Sequence, residues 1–502
     1  MPAEKAKAFR LHFERAIQMA ASRTEDVFDF LVIGTGAGGS ASAFELARAG
    51  HRVLMLEKGD ELPADGSTYD ATLVVAGKFN SKEPWKDRNG GVFMPEEHFN
   101  VGGKTRWYGA ALLRPDEAEF GADARLSMPG WPLEYAEMTP YFERAERLLE
   151  VRTFDAEPDL ARMAPAFGRH GWQSRPMPLG ISNAIHQDPV QETHWDGYAL
   201  PDTWKSEARF HLLDPILTLP NVALVKNAEV DSLLPGATPA QIVGVRCKDG
   251  REFRASTVLL AAGALHSPRL LQRYFDAVGL AGRLPASASV GRNFKRHILS
   301  AVIGFGVRRK QDRLCKTQLW TSDAFAHSSV QPLGGWADVE TVRYVLRAWP
   351  KFVRDLFALH SYGFFLQTED SSIAENRVIA EPPGGLPTLD YAVDRMPELR
   401  DEHEAMCRSF RRALRTAGLL NFRQSIPLSG LAHCAGTLAA GADPATSVVD
   451  AEGRVHGMEN LYVVDGSVLP RLSKMNPSLT IYAWGLRIGE RLSRAYGKNP
   501  QQ

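Results

Sequence analysis

Residues 27–60, VFDFLVIGTGAGGSASAFELARAGHRVLMLEKGD, constrain the fold more than any other stretch of the chain. An apolar run at 30–33 leads into Gly34-x-Gly36-x-x-Gly39, then a segment of small residues, then a second apolar run at 53–56 that ends at Glu57. Each part has a physical task in a strand–turn–helix–strand unit that holds a dinucleotide. Gly34 permits the tight turn, Gly36 lets backbone approach a pyrophosphate, and Gly39 lets the helix lie close to the strand. The first helical turn, from Ala37, offers free N–H groups and the positive end of the helix dipole to the anion. Glu57 stands 57 − 34 = 23 residues beyond the first glycine, placed to accept hydrogen bonds from a ribose diol, with Lys58 beside it. A bare glycine triplet is weak evidence; strand, loop, helix, strand and acid in this order are not. The pattern does not separate a nicotinamide from a flavin dinucleotide.

At 502 residues the chain has room for two or three domains. Its 59 Lys and Arg balance 59 Asp and Glu, so composition offers no concentrated basic face for nucleic acid. The four cysteines, Cys247, Cys315, Cys407 and Cys434, form no CxxC. That spacing argues against zinc, iron–sulfur and haem sites and against a disulfide-stapled domain, and points to a reducing cytoplasm. The first 25 residues lack the apolar run of a secretory signal. Phe9, Phe13, Ile17 and Ala20 recur at helical spacing, which predicts an amphipathic helix packed on the adjoining domain, with a transit peptide or a membrane-surface helix as alternatives. No stretch approaches the ~20 apolar residues of a membrane span. We find no internal repeat and no low-complexity linker.

Two further stretches bear on the nucleotide. In HFNVGGKTRWYGAALLRP, 98–115, Gly102, Gly103 and Gly109 bring backbone close to something flat or bulky, with Thr105 alongside. Near the carboxyl end a strand at 461–464 meets a turn at Asp465-Gly466-Ser467, and a final helix is predicted to open with Asn476 as N-cap and Pro477 in the first helical position. Both ends of the chain therefore read as parts of one nucleotide-binding unit, with the rest inserted. LSGLAHCAGT, 428–437, sets His433 beside Cys434. A metal site needs more ligands than this, and a thiol next in sequence to its base is awkward, since neighbours on an extended strand point to opposite faces. A lone base at His433 survives. The residues alone leave open a satisfied core histidine there and a mere helix cap at Asn476.

Taken in order, these motifs resemble the glucose–methanol–choline (GMC) oxidoreductases, an FAD-dependent family. The resemblance covers nearly the whole chain. It includes MPGWPLEYAEMTPYFERAERLLEV, 128–151, NVALVKNAEVDSLL, 221–234, TVLLAAGALHSPRLLQ, 257–272, and VGRNFKRH, 290–297. Within the family the chain is similar to the bacterial sugar dehydrogenase and pyranose oxidase branch, through His433-Cys434-Ala435-Gly436-Thr437 and Asn476-Pro477-Ser478-Leu479-Thr480. The resemblance implies FAD held by the fingerprint residues together with Val230, Ala262, Gly263, Asp465, Gly466, Asn476, Pro477 and Thr480. It also implies that His433 and Asn476 face the flavin N5. A proton from an alcohol would pass to His433 while hydride leaves for the flavin, with a sugar, glycoside or polyol hydroxyl as the leading substrate. A lipophilic or aryl alcohol, a non-redox lyase and a silent FAD-binding subunit are the alternatives. Three departures matter. The run KTRWY, 104–108, lacks the histidine that carries covalent flavin in some relatives, so FAD is expected to be non-covalent. GTLAAG, 436–441, replaces GT-x-RMG and leaves the pocket's shape open. With no cysteine cluster or haem site, electrons must leave to oxygen, a quinone or a separate redox protein.

The expected fold is α/β: a Rossmann-like FAD-binding domain from 26–154, 216–297 and 429–502, preceded by the helix at 1–25. An inserted substrate-binding domain from 155–215 and 298–428 is expected on an antiparallel sheet flanked by helices. SYGFFLQTED, 361–370, should be a strand of that sheet facing the flavin, with Gln367 a candidate substrate contact, although polar alternation on a sheet face explains it nearly as well. The basic, aromatic segment 340–360, broken at Pro350, is expected to cover the back of the sheet, with a lid or membrane-surface helix as the alternative.

Overall fold

The computed structural model describes residues 27–334 and 339–497; the amphipathic helix expected over 1–25 lies outside them. The two apolar runs of the fingerprint become β1 (Phe28–Ile33) and β2 (Val53–Leu56), parallel neighbours joined through α1 (Ala37–Arg48). Further along the chain come β3 (Val222–Val225), β4 (Val230–Pro235), β5 (Ile242–Cys247), β6 (Glu252–Leu260) and α2 (Gly263–Ala277). The strands lie in the order β3-β2-β1-β6-β5-β4, and the short strand Leu461–Val463 pairs with β6. β1, β2, β3, β6 and Leu461–Val463 run parallel, whereas β4 and β5 add antiparallel. The continuous burial along β1 and β2 suits a parallel sheet covered on both faces.

The carboxyl-terminal helix Ser478–Ala495 packs on α1 so closely that a Cβ on Gly485 would stand 2.5 Å from the carbonyl oxygen of Gly38. Glycine at that crossing brings the end of the chain back onto its beginning. The helix opens at Ser478, with Pro477 in the capping position and no side-chain cap. The predicted N-cap role of Asn476 is therefore overturned: its side chain points away from the helix and into the site described below.

A second sheet is antiparallel and contains β7 (Ile298–Phe305), β8 (Gln318–Thr321), β9 (Ser328–Pro332), β10 (Ser361–Thr368) and β11 (Leu420–Ser425). Its order is β11-β7-β10-β9-β8, with Gln173–Pro176 on the edge beside β8. Alternation along β10 divides its two faces. Phe364 and Leu366 join Val302, Trp320 and Val330 in an apolar layer under the helices, while Phe365 and Gln367 look the other way, into a cavity. The helices over that layer are Pro158–Gly168 and α3 (Pro397–Thr416), whose buried Met406, Phe410 and Ala413 recur at helical spacing.

The 340–360 segment does not cover this face, contrary to expectation. It breaks at Pro350 into helices Val339–Val345 and Lys351–His360 beyond the end of β7, where Phe357 stacks on Phe305 at 4.6 Å and Val345 borders the cavity. The place on the sheet goes to α3, which offers a longer buried stripe. Trp349 and Phe352 on the hairpin remain 48% and 76% exposed.

Candidate active site

A cavity of about 640 Å³ is lined by both sheets and by the first turn of α1. The glycine fingerprint contributes to its wall through Gly34 and Gly36. Gly34 has φ +109°, a conformation open to glycine, and a Cβ on Gly39 would lie 2.2 Å from the Gly34 carbonyl oxygen, so helix and strand touch there. A Cβ on Gly36 would meet nothing within 4 Å, and Gly36 and Ala37 border open space. Gly36 gives α1 no side-chain cap, so the first turn presents its N–H groups to that space. Glu57 is held by the amide and hydroxyl of Thr35, 3.1 and 2.5 Å from Oε2, and by the amide of Gly59, 3.0 Å from Oε1. Burial pushes its carboxyl up, against those donors.

Val230, Ala262, Gly263, Asp465 and Gly466 also line the cavity. Asp465 ties the carboxyl-terminal segment to the start of α2: Oδ2 accepts from the Gly263 amide at 2.8 Å and from Ser267 at 2.5 Å, while Oδ1 accepts from the Ser467 amide at 2.9 Å. Gly103 also borders the cavity, and its missing Cβ would lie 3.2 Å from Gly36 Cα.

His433, Asn476 and Pro477 line the same cavity. A hydrogen-bonded chain runs through them and fixes the position of each proton. The Ser473 carbonyl oxygen lies 2.7 Å from His297 Nε2 and can only accept, so that nitrogen carries the proton. Neutral His297 then has a bare Nδ1, which lies 2.9 Å from His433 Nδ1. His433 must donate there, which leaves its own Nε2 as a lone pair. Asn476 Nδ2 lies 3.3 Å from that lone pair, and Asn476 Oδ1 accepts from Gln331 Nε2 at 2.5 Å, so the amide is oriented too. Both imidazoles are neutral: burial lowers His297 to about 4, and burial, then the potentials of His297, Lys316, Lys104 and Arg296, hold His433 well below its ordinary value.

The support behind this chain is equally specific. Ser473, at φ +67°, donates its hydroxyl to Glu119 at 2.7 Å and its amide to Glu369 at 3.0 Å. Glu369 in turn accepts from Arg471 Nε and Nη2 at 3.1 and 2.8 Å. His297 itself has φ +65°, an unusual conformation for a residue with a Cβ, held here by bonds at both ring nitrogens.

Several predicted site residues fall elsewhere. Thr480 turns from the cavity and borders a void of about 10 Å³ with Arg471 and Ser473. Because the helix starts at Ser478, the cavity face falls to Pro477, Ser478 and Ile481 instead. Gly102 stands behind the wall, its amide donating to Thr35 at 3.0 Å. Lys58 borders the cavity, but its ammonium is spent on Glu83 and on Glu229, the latter at 3.0 Å. The Thr105 hydroxyl is likewise used, donating to the Gly102 carbonyl oxygen at 2.7 Å. Gln367 faces the cavity, yet its Nε2 donates to the Lys474 carbonyl oxygen at 2.7 Å and to Ser329 at 3.2 Å. The glutamine that touches Asn476 is Gln331, and sequence reasoning missed both it and His297. His297 closes the VGRNFKRH run, so the motif was visible although its partner was not.

The cavity fits FAD. Two uncapped helix N-termini, at Ala37 and Ser478, border it, Gly36 leaves a cradle, and the volume lies within the ~300–1,000 Å³ of small-molecule sites. Residues 29–290 match the FAD dependent oxidoreductase family, so the parallel sheet, its glycine turn and Glu57 belong to a flavin-dependent oxidoreductase. Residues 374–485, which carry His433 and Asn476, match the GMC oxidoreductase family. Relatives agree over almost the full length. The chain is 30% identical to 6'''-hydroxyparomomycin C oxidase of Streptomyces lividus, covering 92% of this chain and 90% of that protein. It is 29% identical to paromamine 6'-oxidase of Streptomyces fradiae, covering 93% and 91%. A third relative, at 23% identity over 94% and 96%, is 2-methyl-1,2-propanediol dehydrogenase of Mycolicibacterium austroafricanum. The fold is shared with pyridoxine 4-oxidase from Mesorbium loti, with TM-score 0.67, 19% identity and coverage of 92% and 99%. The chain belongs to the GMC oxidoreductases and is an FAD-dependent enzyme acting on CH–OH groups.

Proposed function

We propose that this enzyme oxidises a hydroxyl of a sugar or other polyol to the carbonyl, with His433 as the base and Asn476 as the group that positions the oxygen. One observation carries the reading: the chain from Ser473 to Gln331 leaves His433 Nε2 as a lone pair facing the cavity beside an amide donor. A substrate hydroxyl entering between them replaces the long 3.3 Å contact. It donates its proton toward Nε2 and accepts from Asn476 Nδ2. Proton transfer to Nε2 leaves charge on His433, which the His297 lone pair at Nδ1 stabilises through the bond already in place. Bound FAD supplies the two-electron acceptor for the hydride that leaves the carbinol carbon. The N-terminus of Ser478–Ala495 offers its dipole to negative charge in the cavity. Cys434 takes no part, since burial pushes its thiol up to about 11.

The relatives named for paromamine, 6'''-hydroxyparomomycin C and a propanediol support a hydroxyl-bearing substrate. Segments 155–215 and 298–428 serve that substrate; Gln331, Leu333 and Phe365 from them line the cavity. FAD is held without a covalent bond. In the 104–108 run Trp107 is buried and donates to Asn100 at 3.0 Å, and the neighbouring His98 is stacked on Trp107 with Nδ1 against the Phe79 carbonyl oxygen. Electrons leave directly to a diffusible acceptor, oxygen or a quinone, or to a separate redox protein. Among the described residues no helix is long and apolar enough to cross a membrane. All four cysteines are free, which supports a reducing, cytoplasmic setting. The test is anaerobic addition of sugars, glycosides, polyols, aryl alcohols and aliphatic alcohols to the holoenzyme. Bleaching of the flavin band by one class is expected, and no bleaching by any would sink the reading.

A further inference from the structure

Asp196 and Lys316 lie in the same cavity as His433 and Asn476. They come from parts of the chain that carry no recognised motif. Their side chains are 7% and 6% exposed, and Lys316 Nζ stands 2.6 Å from Asp196 Oδ2. Taking two charges out of water is costly, and such a pair stabilises a fold only when its remaining hydrogen-bonding capacity is used. The buried Glu369–Arg471 pair meets that condition: Arg471 contacts both carboxylate oxygens, and the Ser473 amide adds a further donor.

Asp196 and Lys316 do not meet it. Oδ2 accepts from Lys316 and from the Gly334 amide at 3.1 Å, but Oδ1 has no donor among the described residues. The ammonium has three N–H bonds and, among the described residues, one hydrogen-bonding partner, Asp196; the Trp195 ring lies 6.0 Å from it, measured to the centroid. The backbone makes room for the pair. A Cβ on Gly109 would stand 2.1 Å from Asp196 Oδ1 and 2.5 Å from Lys316 Nζ, so a side chain at 109 would displace both. Lys316 is close enough to His433 for its charge to depress that base.

We propose that Asp196 and Lys316 form a diol-reading pair for the substrate of the reaction proposed above. Lys316 donates to the oxygen of one hydroxyl and Asp196 Oδ1 accepts the proton of its neighbour. Hydroxyl oxygens on adjacent carbons stand side by side, as the Lys316 ammonium and the Asp196 carboxylate do here. Because the two charges compensate each other, the pair offers one donor and one acceptor side by side without imposing a net charge on the site. The enzyme therefore selects a polyhydroxylated substrate over an alcohol with a single hydroxyl.

The test compares methyl β-glucoside with tetrahydropyran-2-methanol, which keeps the ring and the primary alcohol and lacks the ring hydroxyls. The kcat/KM ratio of the two should exceed ~100 in the wild type, since a site built to bond hydroxyls rejects the analogue without them. It should fall roughly 10- to 100-fold in Lys316→Met and in Asp196→Asn. The double variant Asp196→Leu/Lys316→Met leaves no orphan charge and guards against loss of fold in the single ones. Isothermal titration of the holoenzyme with methyl β-glucoside reads the pair independently of turnover, and binding should weaken at least tenfold in the double variant. A wild-type ratio near one, a ratio unchanged in the variants, or unchanged glucoside binding would overturn the proposal. If neither alcohol reduces the flavin, the proposed reaction fails, and the titration still decides the role of the pair.

Discussion

His297 gives the sharpest test of the proton chain, because its two ring nitrogens do separate jobs. Nε2–H holds the Ser473 carbonyl oxygen and Nδ1 accepts from His433, at 2.7 and 2.9 Å. Removing the acceptor leaves a buried N–H on His433 without a partner, which costs about 1–3 kcal/mol. The cheapest escape is the other tautomer, in which Nε2 carries the proton and cannot act as a base. A penalty of that size corresponds to roughly a 5- to 150-fold fall in the rate of flavin reduction, at ~1.4 kcal/mol per tenfold. Two conservative variants separate the jobs. Asparagine places its oxygen near the position of Nδ1 and tolerates the left-handed backbone at φ +65°. Glutamine places its amide nearer Nε2 and leaves the His433 donor unpaired. Stopped-flow reduction under anaerobic conditions should therefore rank wild type above His297→Asn, and His297→Asn above His297→Gln and His297→Ala. A rate for His297→Ala within threefold of wild type, or equal losses for Asn and Gln, would refute the tautomer argument.

Replacing the base itself, His433→Ala, should keep the flavin spectrum and lose about 10²- to 10⁴-fold in reduction rate, whereas Cys434→Ser should stay within twofold; the reverse pattern would reassign the base. Because burial and neighbouring positive groups hold His433 below its ordinary value of 6.5, the base stays unprotonated as pH falls through that value. Reduction should be level across it and decline only at lower pH, and a limb centred at or above 6.5 would contradict the cause given. His297 carries a second pH signature, since its folded value near 4 lies below the ordinary 6.5 and the unfolded chain takes the proton first. As pH falls through that window the wild type should lose up to roughly 3 kcal/mol relative to His297→Asn, measured by denaturant unfolding; a constant difference would mean that His297 is not buried neutral. Acid precipitation should leave FAD in the supernatant, and flavin in the pellet would point to a covalent bond, with His98 the histidine to examine first.

The carboxyl-terminal helix shows where local reasoning stops. Asn followed by Pro is a helix-start signal because it satisfies orphan N–H groups within one turn. That logic sees only neighbours in sequence. In the folded chain the Asn476 amide meets His433 and Gln331, 43 and 145 residues away, and the helix begins at Ser478 without a side-chain cap. Thr480 fell out of the site for the same reason: a shift in where the helix starts turns every later side chain.

What the sequence determined by itself is what short-range physics dictates. The glycine turn, the buried runs of β1 and β2, and Glu57 at the second strand's end arise from steric freedom, apolar continuity and spacing within some thirty residues. Those features named the cofactor class, and the ordered motifs named the family. Tertiary structure alone decided which side chains share the catalytic site. His297 and His433 lie 136 residues apart, and Asp196 and Lys316 lie 120 apart. No periodicity links them, because the second sheet pairs strands that are distant in the chain. A lone histidine becomes an oriented base only when another ring, fixed by a backbone carbonyl, dictates which nitrogen keeps the proton.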